Sequence, residues 1–202
     1  MAVVLAIGAH PDDIEAGCAG TLVLHKAKGD EVYLLVLTKG EASGDPDTKE
    51  VACRKSANLL AVDDLLFGNL KDTMIPEGIE TISVIENLID KVEPDIVYTH
   101  TFKDTHQDHR NVAYATLSAA RRCKRILMYE TPNTQREFFP QVFTDIRKTF
   151  KLKKRALRVF GRESRRFWLA VNAMEGLAAF RGFQAGVPVA EAFEVGRFVL
   201  EI

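Results

Sequence analysis

Val3-Val4-Leu5-Ala6-Ile7-Gly8-Ala9-His10-Pro11-Asp12-Asp13 joins an apolar run to one imidazole and two adjacent carboxylates. An apolar run of this length, closed by glycine and proline, predicts a buried strand that ends in a turn. The apolar residues that follow, Ile14, Cys18 and Leu22, have the spacing of a helix. The three polar side chains are therefore expected on a strand-to-helix loop, which is where open α/β sheets bind their ligands.

A second polar cluster follows another predicted strand much later in the chain. Ile96-Val97-Tyr98-Thr99-His100 predicts a buried strand, and Thr105-His106-Gln107-Asp108-His109-Arg110-Asn111 comes after a short polar loop. The apolar residues beyond it, from Val112 to Ala119, again have helical spacing. Because parallel strands end at the same edge of a sheet, we expect the two clusters to meet there.

Strand and helix patterns alternate along most of the chain. Further strands are predicted at 32–37, 65–67, 126–129 and 193–200, and helices at 50–61 and 79–92. Short strands separated by helices indicate right-handed βαβ units. The sequence therefore predicts an α/β fold, in which helices cover both faces of a mainly parallel sheet. Because no boundary is visible, residues 1–202 are expected to form a single domain.

The composition excludes several classes of protein. The chain has 202 residues, 47% of them hydrophobic, and a formal net charge of -1, so no basic excess argues for a nucleic-acid partner. Three cysteines without paired spacing are typical of reduced thiols rather than of a disulfide framework. The sequence shows no secretory signal and no stretch long enough to span a membrane. These features predict a cytoplasmic protein.

The two clusters together contain the ligands of a catalytic metal site. Such sites use three protein ligands and leave a position for water. His10, Asp13 and His109 offer two imidazoles and one carboxylate, a set that suits Zn²⁺ and that Fe²⁺ also tolerates. Asp12 is adjacent to a ligand without being one, so we expect it to act as the general base that takes a proton from water.

The second cluster also contains groups for acid catalysis. His106 and His109 are three residues apart at a predicted helix start, so both can face one cavity without both binding metal. Asp108, between them, is placed to hold an imidazole in one tautomer, most usefully that of His106. A protonated His106 would stabilise an oxyanion and then protonate a departing amine. The combined set fits the metal-assisted hydrolysis of an amide.

Structural roles compete with these assignments. Asp12 or Asp13 would also serve as a cap of the first helix, and Asp108 or Asn111 as a cap of the later one. His100 ends its strand, and the sequence leaves open whether it touches the site.

Other functions for the same fold are a nucleotide-binding module and a metal-binding protein without activity. Pro11 removes a backbone amide from the first turn, and two carboxylates would repel phosphate, which disfavours a nucleotide. A metal-binding protein without activity would not need the acid and base groups of Asp12 and His106, which disfavours that function.

The segment from Arg147 to Arg166 is strongly basic, with ten lysines and arginines against a single acid, Glu163. It is either the solvated face of a C-terminal helix or a patch that steers an anionic substrate. The apolar residues just beyond it, including Trp168 and Met174, suit a core or a subunit contact, which leaves a homo-oligomer open.

At the two clusters the chain resembles the PIG-L/LmbE family of metal-dependent N-acetylglucosaminyl deacetylases. The family signature A-H-P-D-D-x-E matches residues 9–15, and its second motif H-x-D-H-R matches residues 106–110. Weaker matches lie at residues 38–41 and 190–194. The resemblance implies a Rossmann-like three-layer sandwich. It also implies the same site as above: Zn²⁺ on His10, Asp13 and His109, Asp12 as general base, His106 as oxyanion-stabilising acid and Asp108 as its partner.

The resemblance further implies a small-molecule substrate, an N-acetylated sugar derivative based on glucosamine. Arg54 matches an arginine that contacts the sugar in similar proteins. The chain departs from the family pattern at two places. It lacks the H-x-S-Q stretch expected after Lys153–Leu157, and Thr73 stands where glycine commonly follows the aspartate. These departures leave the substrate open, with a non-sugar amide or ester as the alternative and a phosphorylated sugar as a hypothesis suggested by the basic segment.

Overall fold

The computed structural model of the chain describes residues 1–161 and 165–200, and for residues 165–170 it describes the backbone alone. Arg162 and Glu163 of the basic segment therefore lie outside the described residues, as do the side chains of Arg165, Arg166 and Trp168.

The elements alternate between strand and helix in the first two-thirds of the chain. The strands are β1 (Val3–Gly8), β2 (Glu31–Val36), β3 (Asp64–Phe67), β4 (Ile96–His100), β5 (Arg125–Tyr129), β6 (Val142–Asp145) and β7 (Ala190–Phe198). The helices are α1 (Asp13–Gly17), α2 (Ala19–Ala27), α3 (Pro46–Leu60), α4 (Ile79–Val92), α5 (Gln107–Ala119), α6 (Phe150–Leu157) and α7 (Arg165–Ala185), and Glu41–Ser43 is a short 3₁₀ helix. Within the described residues, none of the helices combines the length and low polarity needed to span a membrane.

The described strands form one seven-stranded sheet in the order β3-β2-β1-β4-β5-β7-β6. Strands β1 to β5 are parallel, whereas β7 runs antiparallel to both of its neighbours. The chain extends the sheet from β1 in one direction to β3 and then returns to add β4 on the other side. The loops after β1 and β4 therefore flank the point where the strand order reverses, which is the ligand-binding crevice of this architecture.

The helices form two layers, one on each face of the sheet, because side chains along a strand alternate between its faces. Leu5 and Ile7 of β1 lie in a buried cluster with residues of α4 and α5. Val4 and Ala6 lie in a second cluster with residues of α1, α2 and α3. The predicted three-layer α/β fold with a mainly parallel sheet is confirmed.

The first helix is interrupted, which the apolar spacing did not predict. Cys18 separates α1 from α2, and it has a non-helical backbone. The first amides of α2 are capped from a distant strand, because the buried Glu191 carboxylate accepts hydrogen bonds from Gly20 N at 2.8 Å and Thr21 N at 2.7 Å. Lys153 completes this network and is itself buried, with its Nζ 2.6 Å from Glu191 Oε1 and from the carbonyl of Ala16.

The basic segment is therefore not uniformly a solvated helix face. Lys153 points into the interior, whereas Lys151, Arg155 and Arg158 of the same region are exposed.

Candidate metal centre

The loops after β1 and β4 bring the two polar clusters into direct contact. His10 follows β1, and His109 lies in the first turn of α5, which follows β4. His10 Nδ1 lies 3.2 Å from His109 Nε2 although the residues are 99 positions apart. The Asp13 carboxylate completes the group, with Oδ2 3.4 Å from His10 Nδ1 and Oδ1 3.3 Å from His109 Nε2.

The separation of His10 Nδ1 from His109 Nε2 suits a common metal ion, and each of these nitrogens has one Asp13 oxygen at a similar distance. A tetrahedral ion with bonds of about 2.0–2.1 Å separates its ligand atoms by about 3.3–3.4 Å. The donor types, two imidazole nitrogens and a carboxylate oxygen, are those of catalytic zinc sites. The residues present therefore fit a bound metal on both spacing and chemistry.

His10 Nε2 and His109 Nδ1 both face carboxylates. This leaves His10 Nδ1 and His109 Nε2 to present lone pairs to a metal ion. His10 Nε2 lies 3.0 Å from Asp108 Oδ2 and 3.1 Å from Asp72 Oδ1. His109 Nδ1 lies 3.1 Å from Asp104 Oδ2. A carboxylate behind each ligating imidazole is the usual arrangement around protein-bound metals.

The carboxylates that surround His10 and His109 raise the pKa values of both rings. Burial lowers the pKa of His10, but hydrogen bonds to Asp108 and Asp13 outweigh burial and raise it to about 10. Burial also lowers the pKa of His109, and the charge of Asp13 and the contact with Asp104 raise it to about 9. The centre of the cluster thus favours positive charge, whether protons or a metal ion supply it.

Asp13 is buried and ionised. Its Oδ2 accepts a hydrogen bond from His10 N at 2.7 Å and lies 3.1 Å from His100 Nε2. Burial opposes ionisation, but the charges of His109 and His100 hold the pKa of Asp13 well below its usual range. Asp13 therefore contacts the loop and the histidines rather than capping α1.

Asp12 has a different environment from its neighbour. It occupies the N-cap position of α1 without a side-chain capping hydrogen bond, and its φ of 91° is left-handed. Its surface is exposed to solvent, yet atoms of the chain crowd the carboxyl, and this desolvation, with repulsion from Asp13 and Glu15, raises its pKa to about 8. A carboxyl with a pKa near neutrality suits a general base.

His106 caps α5 through its ring. Its Nδ1 accepts a hydrogen bond from Asp108 N at 3.2 Å, so the proton of the neutral ring lies on Nε2. The ring stacks on His109 with centroids 4.8 Å apart and contacts the edge of His10 at 4.7 Å. Burial and the charges of His109 and His10 lower the pKa of His106.

The expected hydrogen bond between the Asp108 carboxylate and the His106 ring is not formed. Asp108 Oδ2 accepts from Thr73 N at 2.8 Å, Oδ1 from Ile75 N at 3.3 Å, and the His10 ring is the third partner. The physical reason is that the His106 ring turns its Nδ1 to the backbone amide of Asp108, which leaves the carboxylate to bridge the loop after β3 and His10.

Three further residues belong to the cluster although their sequence positions did not predict it. Asp72, Asp104 and His100 all lie in or beside loops at the carboxyl edge of the sheet. His100 is fully buried and stacks on His109 with centroids 4.0 Å apart. The sequence feature that could have identified all three is their position at or shortly after the ends of predicted strands. Polar residues are common at such positions, so this feature alone is weak.

Arg54 lies on α3. Its guanidinium pairs with Glu50, with Nη2 2.6 Å from Oε1, and lies over the Phe67 ring. The structure therefore gives Arg54 no contact with the clustered residues, and its expected role at a sugar stays a prediction.

Comparison with known proteins agrees with this geometry. The family model described as PIG-L, GlcNAc-PI de-N-acetylase, matches residues 5–120, more than half of the chain and both clusters. The chain is 37% identical over 164 residues to "Uncharacterized deacetylase YaiS" of Escherichia coli (strain K12), covering 77% of this chain and 88% of that protein.

More distant relatives extend the comparison. The chain is 29% identical over 180 residues to the diacetylchitobiose deacetylase of Thermococcus kodakarensis, covering 77% of this chain and 67% of that protein. The crystal structure of the conserved protein TT1542 from Thermus thermophilus shares the fold with a TM-score of 0.91, at 23% identity over all of this chain and 98% of that one. With both motifs inside the matched region, the chain belongs to the PIG-L family of deacetylases, which are hydrolases of amide bonds.

Proposed function

We propose that the chain is a metal-dependent deacetylase that removes an N-acetyl group from a glucosamine-containing small molecule. The observation that carries the proposal is the convergence of His10, Asp13 and His109, with the two imidazole nitrogens 3.2 Å apart and an Asp13 oxygen 3.3–3.4 Å from each. Its occurrence in a chain of a deacetylase family selects amide hydrolysis among the reactions of such centres. The named activity of the Thermococcus relative supports an N-acetylated sugar as substrate.

Zn²⁺ is the ion we assign to the three ligands, since a mixed nitrogen and oxygen set at tetrahedral spacing suits it, and Fe²⁺ is the nearest competitor. When bound, the ion would polarise the acyl carbonyl and lower the pKa of a water molecule. Asp108 and Asp104 hold the two imidazoles from behind.

Asp12 is assigned as the general base. It lies next to the ligand Asp13 in sequence, is exposed and forms no capping hydrogen bond, so its carboxyl can take the proton of the attacking water. The water oxygen forms a bond to the acyl carbon, and the carbon–nitrogen bond then breaks. The proton held by Asp12 passes to the departing amine, and the second proton of the water stays on the new carboxyl group. Acetic acid and the free amine are therefore formed, and Asp12 is returned to its ionised state.

His106 is assigned as the donor to the oxyanion. Because its Nδ1 already accepts a backbone hydrogen bond, the neutral ring has a single proton to offer, on Nε2. Donating a hydrogen bond from Nε2 stabilises negative charge on the acyl oxygen. Transferring that proton would leave an imidazolate, which is why we assign the proton of the amine to Asp12 rather than to His106.

Amine release from a panel of acetylated compounds tests the proposal. The panel contains N-acetylglucosamine derivatives with and without phosphate, N-acetylated amines without a sugar, and acetate esters, each incubated with zinc-loaded and with chelated protein. We expect release from the sugar derivatives with the zinc-loaded protein alone. Activity confined to non-sugar amides or esters would contradict the proposed substrate, and equal activity after chelation would contradict the metal dependence.

A further inference from the structure

Asp104 lies in the loop between β4 and α5, outside both family motifs, and it is 1% exposed. Its Oδ1 accepts a hydrogen bond from His106 N at 2.8 Å. Its Oδ2 accepts from Thr131 Oγ1 at 2.9 Å and lies 3.1 Å from His109 Nδ1. One buried carboxylate therefore touches both histidines of the second motif.

We propose that Asp104 is a positioning residue that fixes His109 with its Nε2 lone pair turned towards His10 and Asp13. The inference rests on the proposed function, because it assigns to His109 the role of a metal ligand. A metal-ligating histidine usually donates its second ring N–H to a carboxylate, which sets the tautomer and the direction of the ring. Asp104 is the carboxylate on that side of His109.

Hydrogen-bond donors face both carboxylate oxygens of Asp104, so both oxygens must act as acceptors. His106 N and Thr131 Oγ1 are donors, and His109 Nδ1 becomes one when Nε2 presents its lone pair. An ionised carboxylate is the side chain that accepts from all three. An asparagine would place an NH₂ group against at least one donor.

His109 Nδ1 has no partner other than Asp104 among the described residues. This nitrogen is buried, and the alignment with Asp104 falls short of a well-directed hydrogen bond even at 3.1 Å. Because a buried ring N–H without a partner is costly, Asp104 is the group that can hold this proton. The His100 ring stacks on the face of the His109 ring and so restricts tilting of that ring. The contact with Asp104 then sets the direction in which the His109 nitrogens point within the ring plane.

The loop after β5 holds Asp104 in place. Asp104 forms an isolated bridge with Thr134, Thr105 N donates to the carbonyl of Asn133 at 3.1 Å, and Gln135 N donates to that of Lys103 at 2.7 Å. Thr131 then adds its side-chain hydrogen bond. The loop after β5 thus supports the centre indirectly, through the position of Asp104.

Zinc affinity of an Asp104→Asn variant tests the proposal. Apo protein is titrated with Zn²⁺ against a competing chelator, and wild type is measured in parallel. Removing a carboxylate behind a ligating histidine is expected to weaken metal binding about 10- to 100-fold. An affinity equal to that of wild type would overturn the proposal, whereas a wild-type protein that binds no zinc would overturn the proposed function instead.

Glu194→Gln is the matched control. Glu194 is also a buried carboxylate that holds the loop after β4, since it accepts from Thr101 Oγ1 at 2.8 Å and Lys103 Nζ at 2.6 Å, but it touches none of the site histidines. We expect its zinc affinity to match wild type. An equal loss in both variants would assign Asp104 to holding the loop and overturn the positioning role.

Thr131→Val addresses the same contact if Asp104→Asn does not fold, as judged by circular dichroism and thermal unfolding. It keeps the carboxylate but removes the hydroxyl that anchors Oδ2. Zinc affinity lower than that of Glu194→Gln is expected, and wild-type affinity would overturn the proposal.

Discussion

Asp12 and Asp13 carry the same side chain at adjacent positions, yet the turn gives them opposite properties. Asp13 is held ionised among His10, His100 and His109, whereas desolvation of the carboxyl by the surrounding chain and repulsion from Asp13 raise the pKa of Asp12 to about 8. The left-handed backbone of Asp12 costs about 1–3 kcal/mol for a residue other than glycine. Such strain is retained where the surrounding structure demands it, and here it accompanies the separation of the proposed base from the proposed metal ligand.

The Asp12→Asn variant tests whether Asp12 acts as the base without binding the metal, because it replaces one carboxyl oxygen with an NH₂ group. Asparagine tolerates a left-handed backbone, so the turn is expected to survive. The carboxamide cannot take a proton, and turnover is expected to fall about 100- to 10,000-fold. Zinc content, measured by elemental analysis, should equal that of wild type. Near-normal turnover would remove Asp12 as the base, and loss of zinc would show that it is a ligand.

At the residue scale, the sequence predicted that His10, Asp13 and His109 meet, but it did not predict every member of the cluster or how all of them pair. His10, Asp13 and His109 were predictable because each follows a strongly apolar strand, and parallel strands fix where their loops meet. The partner of Asp108 was not predictable, because it depends on the His106 ring bonding a backbone amide rather than a side chain. Local sequence does not specify that rotation.

At the scale of elements, the break between α1 and α2 depends on a buried ion pair from the C-terminal part of the chain. Glu191 of β7 accepts from two amides of α2, from Thr21 Oγ1 and from Lys153 Nζ. The amphipathic pattern of α4 predicted its bounds because that helix is specified by its own residues. The break at Cys18 could not be predicted, since its cap is supplied by a residue far along the chain.

Two variants of this ion pair are expected to differ in stability. Removing one partner of a buried pair costs about 3–5 kcal/mol, so Lys153→Met should lower the free energy of unfolding by that order. Glu191→Ala should lower it further, because it strands the lysine and also leaves the amides of Gly20 and Thr21 unpaired. Denaturant unfolding of both variants measures the two values. Equal losses, or a larger loss for Lys153→Met, would contradict the capping role of Glu191.

Strand β6 was not predicted for a different reason, which is that its own residues lack a strand pattern. It has four half-buried residues and pairs with β7 alone, at the edge of the sheet. Its sequence therefore has neither a long apolar run nor a full alternation of apolar and polar residues, so no strand was predicted there.

At the scale of the whole molecule, the centre joins two parts of the chain at the point where the strand order reverses. β1 and β4 are neighbours in the sheet, but every element from α1 to β4 lies between their loops in sequence. An ion held by His10, Asp13 and His109 would cross-link these loops in the folded state alone. Metal binding is therefore expected to stabilise the fold as well as to support catalysis.

Thermal unfolding with and without metal tests this coupling. A ligand that binds the folded state alone, at a free concentration 100 times its dissociation constant, stabilises it by about 2.7 kcal/mol. We therefore expect chelation to lower the melting temperature of wild type and zinc to restore it. The His10→Ala/His109→Ala double variant is the control, and its melting temperature should not respond to zinc. An equal response in the double variant would place the ion elsewhere, and an unchanged wild-type transition would contradict a cross-link between the two loops.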